Sequence, residues 1–182
     1  MARVGYVATV EAQGDARNVF AKMEERGSDI LNLHRAVANS PNVLRNFMRL
    51  GNSLLLHGLL PPVLRELAIL RIAQLTGASY EWAHHVPIAR QAGVREEQVA
   101  DLKSWQTSQQ FDERERAVLR YTGAVTSSVA APQEVFEEVR SHLSDGEVVE
   151  LTLVAGYWGM VARLLVALEI DIEPPFLRYL PA

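Results

Sequence analysis

Apolar residues recur at three- and four-residue intervals along most of the chain, and the breaks between runs fall on glycine, proline and capping residues. That pattern predicts an all-α helical bundle. Residues 15–26 read as a first helix stopped by Gly27, and Ser28 is placed to cap a second that runs to Asn39. Ser40-Pro41 opens a third, to about Leu56, with Leu44, Phe47, Met48 and Leu55 facing inward. Pro61-Pro62 opens the next helix, Gly77 closes it, Ser79 caps the segment 80–92, and Gly93 ends that one. Asp112 with Glu115, and Ser144 with Glu147, are capping boxes, and Phe111 is placed for the hydrophobic staple of the first. Pro132 starts a helix to about His142, the last helix ends near Ile170, and 174–182 reads as an arm. Strand-like alternation is weak throughout.

At 182 residues the chain is long enough for a single well-buried domain. Its expected parts are a helical extension over about residues 1–40, a motif core at 60–95, and a C-terminal helix and arm at 144–182. A net charge of −4, with no cluster of lysine and arginine, argues against nucleic acid as a partner. Cysteine is absent, which excludes disulfides, thiolate metal sites and thiol catalysis. The apolar stretch 151–168 is long enough to imitate a membrane span, but Arg163 lies inside it and Glu169 and Asp171 follow. The reading is a buried helix with no membrane partner, in a cytoplasmic protein whose start resembles no targeting signal.

Chemistry concentrates in residues 60–95, where Glu66, Glu81, His84 and His85 interrupt apolar helices. Taking a carboxylate out of water costs several kcal/mol unless it is hydrogen-bonded or protonated. Glu81 and His85 are four apart and share a helix face, and a hairpin at Gly77 would bring Glu66 level with His85. A Glu/Glu/His set in an apolar wall suits proton transfer, so Glu66, Glu81 and His85 are the candidate catalytic residues. Tyr80, Trp82 and His84 are the candidate substrate contacts. Plainer readings fit the same residues: Glu66 as a helix-steadying first-turn carboxylate, Glu81 and His85 as a surface pair, Tyr80 and Trp82 as core, and His84 as an interface residue. His34, His57 and His142 read as partly buried or surface histidines. No metal site is expected, because the H-E-x-x-H type of spacing is missing.

The string Arg65-Glu66, Arg71, Thr76-Gly77, Tyr80-Glu81-Trp82, His85 and Ala92-Gly93 resembles the carboxymuconolactone decarboxylase family. With the segment from Leu143 to Leu164, the resemblance covers roughly residues 30–173. It implies an all-helical fold shared with alkylhydroperoxidase D and assembly as a homo-oligomer, a trimer or hexamer. In the peroxidase branch a glutamate, Cys-x-x-Cys and a histidine form the site; here those positions fall on Glu66, Ala78, Glu81 and His85. Without a thiol, peroxide reduction by that route is chemically impossible. The decarboxylase branch uses neither thiol nor cofactor, and implies His85 as acid/base, Glu81 as its partner or proton donor, Glu66 as the orienting group and Trp82 as pocket wall. The chain departs from that branch in being longer and in lacking a clear arginine pair for a doubly anionic lactone. The expectation is a cofactor-independent lyase or isomerase on a small organic acid or lactone. A scaffold or small-molecule-binding protein of the same fold is the alternative.

Overall fold

A computed structural model describes residues 1–181, and it holds nine α-helices and no strand among them. They are α1 (Gly14–Glu25), α2 (Asn32–Val37), α3 (Pro41–Leu56), α4 (Pro62–Thr76), α5 (Ser79–Ala92), α6 (Glu96–Asp101), α7 (Glu113–Ser128), α8 (Gln133–His142) and α9 (Asp145–Ala167). Short 3-10 segments occupy Thr9–Glu11, Leu102–Ser104 and Pro174–Tyr179.

Helix α4 is the centre because it is apolar nearly all round. Leu64, Leu67, Ile69, Leu70 and Ile72 are all buried, and the helix packs on α5, α7 and α9 at once. Each such side chain contributes about 1.5–3 kcal/mol when fully buried. Helix α9 has the length and composition to cross a membrane, yet Leu151, Val154, Trp158, Val161 and Leu165 are buried in the main core. Val149, Leu153, Met160 and Val166 of the same helix remain exposed. A smaller cluster of Ala16, Phe20 and Leu44 joins α1 to α3.

The hairpin that builds the site depends on Gly77. Its φ of 68° is left-handed, and the amide of Ala78 bonds back to the Ala73 carbonyl, which turns α5 antiparallel onto α4. Gly51 matters for a different reason. A Cβ there would lie 2.5 Å from the Tyr157 hydroxyl oxygen, so only glycine lets that ring reach the Phe47 carbonyl, to which it donates at 2.9 Å.

Both capping boxes form: the Glu115 amide donates to Asp112 Oδ1 at 2.7 Å and the Glu147 amide to Ser144 Oγ at 3.3 Å. Elsewhere the boundaries differ from expectation. Ser28 does not cap α2, which begins only at Asn32, because the Asn32 amide is capped at 2.6 Å by Glu173, a residue 141 positions away. Ser79 is the first residue of α5 rather than its cap, and Ser40 makes no side-chain cap bond. Helix α9 stops at Ala167, before Ile170, because Glu169 turns left-handed at φ 51° and the Ile170 amide bonds to the Leu165 carbonyl. On α3 the buried residues are Leu44, Phe47, Gly51 and Leu54, while Met48 and Leu55 are half-buried. Helix α6 was not expected.

Val129, 88% exposed, caps α7 at φ 67°, a conformation that costs a β-branched residue about 1–2 kcal/mol. Val129→Gly is expected to raise stability by about 1 kcal/mol, since glycine's looser unfolded chain takes back part of that gain. The shift of the urea midpoint measures it, and a lowered midpoint would show that the valine is not strained.

Candidate functional site

Glu66 on α4 is fully buried, and its carboxylate accepts two hydrogen bonds, from Arg65 Nε at 3.0 Å and from His85 Nδ1 at 2.8 Å. The other imidazole nitrogen, Nε2, accepts the indole N–H of Trp158 at 2.9 Å. An indole nitrogen only donates, so His85 Nε2 is bare and its hydrogen sits on Nδ1, aimed at Glu66. Burial alone would raise the Glu66 carboxyl. The His85 hydrogen bond and the Arg65 charge outweigh it and hold the group below the usual carboxylate range. The result is a buried line, Arg65–Glu66–His85–Trp158, that ties α4, α5 and α9 together and leaves His85 no open nitrogen.

Glu81, one turn earlier on α5, is the opposite case. It is 2% exposed, and neither carboxyl oxygen has a partner among the described residues. Burial pushes its pKa well above the ordinary carboxyl value, favouring the neutral acid. It lines a cavity of about 190 Å³ together with His34, His84 and His85, walled by Leu33, Phe47, Met48, Ile88 and Val161. Among the described residues no lysine or arginine lines this space.

Tyr80 and His84 also line the cavity and are held by the C-terminal arm. Glu173 accepts the Tyr80 hydroxyl at 2.9 Å and lies 2.7 Å from His84 Nε2. The His84 ring stacks between Tyr80, at 4.2 Å, and Phe176, at 3.8 Å. His34 accepts the Leu31 amide at Nδ1, and burial pushes its pKa down to about 4, so it stays neutral with the hydrogen on Nε2.

The structure therefore brings Glu66 and His85 into direct contact and sets Glu81, His84 and Tyr80 around one cavity with His85. Two expectations of the sequence are corrected. Glu81 makes no direct hydrogen bond to Glu66 or His85, because it points into a space rather than at a donor. Trp82 does not share the cavity. One residue on, about 100° around the helix, it donates from Nε1 to the Tyr179 carbonyl at 3.1 Å and lines a separate groove with Arg90, Lys103 and Arg178. Trp158, Glu173 and His34 were not singled out as site residues. No group of three or more His, Asp or Glu side chains is arranged to hold a metal ion among the described residues.

Residues 41–124, which include Glu66, Glu81 and His85, match the model of the carboxymuconolactone decarboxylase family. That match spans 84 of the 182 residues, and over that stretch the chain is similar to the family. The uncharacterized protein YdfG of Bacillus subtilis (strain 168) is 26% identical over 106 residues, 57% of this chain and 72% of its own length. A protein of unknown function from Agrobacterium tumefaciens, whose name links it to antioxidant defence and AhpD, is 28% identical. It superposes with a TM-score of 0.69 over 75% of this chain and 94% of its own. At the level of fold alone, the AhpD core of a peroxidase-related protein from Ralstonia eutropha JMP134 aligns over 96% of this chain and 94% of its own, with a TM-score of 0.82 and 18% identity. The debrominase Bmp8, solved in complex with 2,3,4-tribromopyrrole, aligns over 97% of this chain and 94% of its own, with a TM-score of 0.81 and 23% identity. The chain itself holds no cysteine.

Proposed function

We propose that this protein is a member of the carboxymuconolactone decarboxylase family and a cofactor-independent proton-transfer enzyme, an isomerase or lyase acting on a small lactone or related carbonyl compound. The observation that carries the reading is Glu81, a buried and unpartnered carboxyl on the wall of a small apolar cavity. A carboxylic acid kept neutral by its surroundings can donate a hydrogen bond to a carbonyl oxygen and hold the enolate that forms there. The Glu81 carboxyl is itself shut away from water, and there such a donor is stronger than in water. The absence of lysine and arginine from the described cavity wall favours an uncharged substrate over a doubly anionic one. With no cysteine, the chain has no residue that can cycle through a sulfenic acid.

A binding protein of the same fold is the second reading, favoured by the engagement of both ring nitrogens of His85. Deuterium exchange separates the two. In heavy water, α-angelica lactone, a small neutral β,γ-unsaturated lactone, should take up deuterium beside its carbonyl faster with the protein than without it. Glu81→Leu, which removes the donor, should slow that exchange about 10²–10³-fold. An unchanged rate in the variant would remove Glu81 from the reaction, and a lactone that binds without exchanging would favour the binding protein.

A further inference from the structure

We infer that His84, oriented by Glu173 of the C-terminal arm, is the base of this cavity and works opposite the acid Glu81. The inference rests on the proton-transfer reading above and assigns the group which that reading leaves open. Adjacent residues on α5 each meet a glutamate, but through different ring nitrogens, and the difference decides which one is available. His85 meets Glu66 through Nδ1, and its Nε2 is filled by the Trp158 N–H. His84 meets Glu173 through Nε2, at 2.7 Å, and its Nδ1 has no partner among the described residues.

Its ring is stacked by Tyr80 and Phe176 and its Nε2 meets Glu173, which leaves Nδ1 as the ring nitrogen without a partner among the described residues, on a side chain that lines the cavity. Glu173 is well fixed for orienting it. Its carboxylate also accepts the Asn32 amide at 2.6 Å and the Tyr80 hydroxyl at 2.9 Å. Burial raises this carboxyl, but the bonds from His84, Asn32 and Tyr80 outweigh it and keep the group ionised. An ionised carboxylate at Nε2 keeps the hydrogen there and leaves the Nδ1 lone pair free to take a proton. Glu81 is three residues before His84, on the neighbouring helical position and the same cavity wall.

The step this pair performs is a 1,3-proton shift. His84 Nδ1 takes a proton from the carbon beside the carbonyl; that C–H bond breaks and its electron pair enters the enolate. Glu81 keeps its proton and donates a hydrogen bond to the enolate oxygen. His84, now cationic beside the Glu173 carboxylate, carries a proton that exchanges with solvent; returned to the α-carbon it gives back the starting lactone with solvent hydrogen beside the carbonyl, and delivered to the γ-carbon it completes the shift. The double bond has moved into conjugation, the imidazole is neutral again, and no co-reactant is consumed. Glu173 is a positioning residue, because it touches only the base.

Long-range ¹H–¹⁵N correlation spectra of the full chain read the tautomers directly. His84 should carry its hydrogen on Nε2 and His85 on Nδ1; His84 found with its hydrogen on Nδ1 overturns the inference. In parallel, His84→Gln should slow isomerisation of α-angelica lactone about 10²–10⁴-fold. Glu173→Gln should lower kcat with KM unchanged and populate the other His84 tautomer, and Glu173→Asp should restore part of the rate. If Glu81→Leu slows turnover about 10²–10³-fold while His84→Gln keeps the wild-type rate, the inference falls and the proposed function stands. A wild type that leaves the lactone at the buffer rate counts against the proposed function, and the His84 tautomer then decides the dyad on its own.

Discussion

Glu66→Ala is expected to cost about 3–5 kcal/mol of folding free energy, the usual loss when one partner of a buried charged pair is removed. The cost comes from what remains. Arg65 Nε and the His85 Nδ1 hydrogen, both in buried side chains, would lose their acceptor, and neither has another among the described residues. Rotating the problem away is blocked, because moving the His85 hydrogen to Nε2 would set it against the Trp158 N–H. Glu66→Gln should fall between wild type and alanine, since one amide oxygen still accepts while the amide nitrogen meets a donor. The folded-state pKa of Glu66 is depressed, so its contribution is present above the ordinary carboxyl value and is lost as pH falls through the folded one. The gap between wild type and Glu66→Ala should therefore narrow in acid. Urea unfolding at neutral pH measures the main effect, and a loss under about 1 kcal/mol would mean that the line of hydrogen bonds does not hold the helices together.

Glu81→Gln should move stability the other way, and by an amount that depends on pH. The Glu81 pKa is raised in the folded state by burial, so folding favours its protonated form. Its contribution is complete below the ordinary value of 4.5 and is lost as pH rises toward the folded one. Glutamine stays neutral at every pH and fills nearly the same volume. The variant should match the wild type in acid and then gain on it steadily as pH rises past 4.5. Melting temperatures across that range read the gap, and a gap independent of pH would show that Glu81 does not resist ionisation. Paired with the slower proton exchange of Glu81→Leu, the gain would mark Glu81 as a residue kept at a cost to stability.

The helices were legible because their signals are local. Capping boxes at Asp112 and Ser144 and the glycine at 77 act within a few residues, and each does in space what its spacing implies. The meeting of Glu66 and His85 was legible for the same reason, since one tight turn sets the register of two antiparallel helices. What escaped was carried by distant partners. Glu173 follows a helix end in a tail with no periodicity, yet it caps α2 and orients His84. Trp158 sits inside an apolar run where any aromatic reads as core, and only the third dimension aims its N–H at His85. Trp82 was misplaced because a motif gives adjacency along the chain, whereas a helix turns neighbours onto different faces.

Whether Glu81 is a neutral acid inside its cavity is measured most directly by the infrared difference spectrum between wild type and Glu81→Gln at neutral pH. The expected spectrum has the carbonyl band of a protonated, weakly bonded carboxylic acid in the wild type, absent from the variant. A difference spectrum with carboxylate bands alone would show Glu81 ionised, and would contradict both its role as a hydrogen-bond donor and the proton-transfer function built on it.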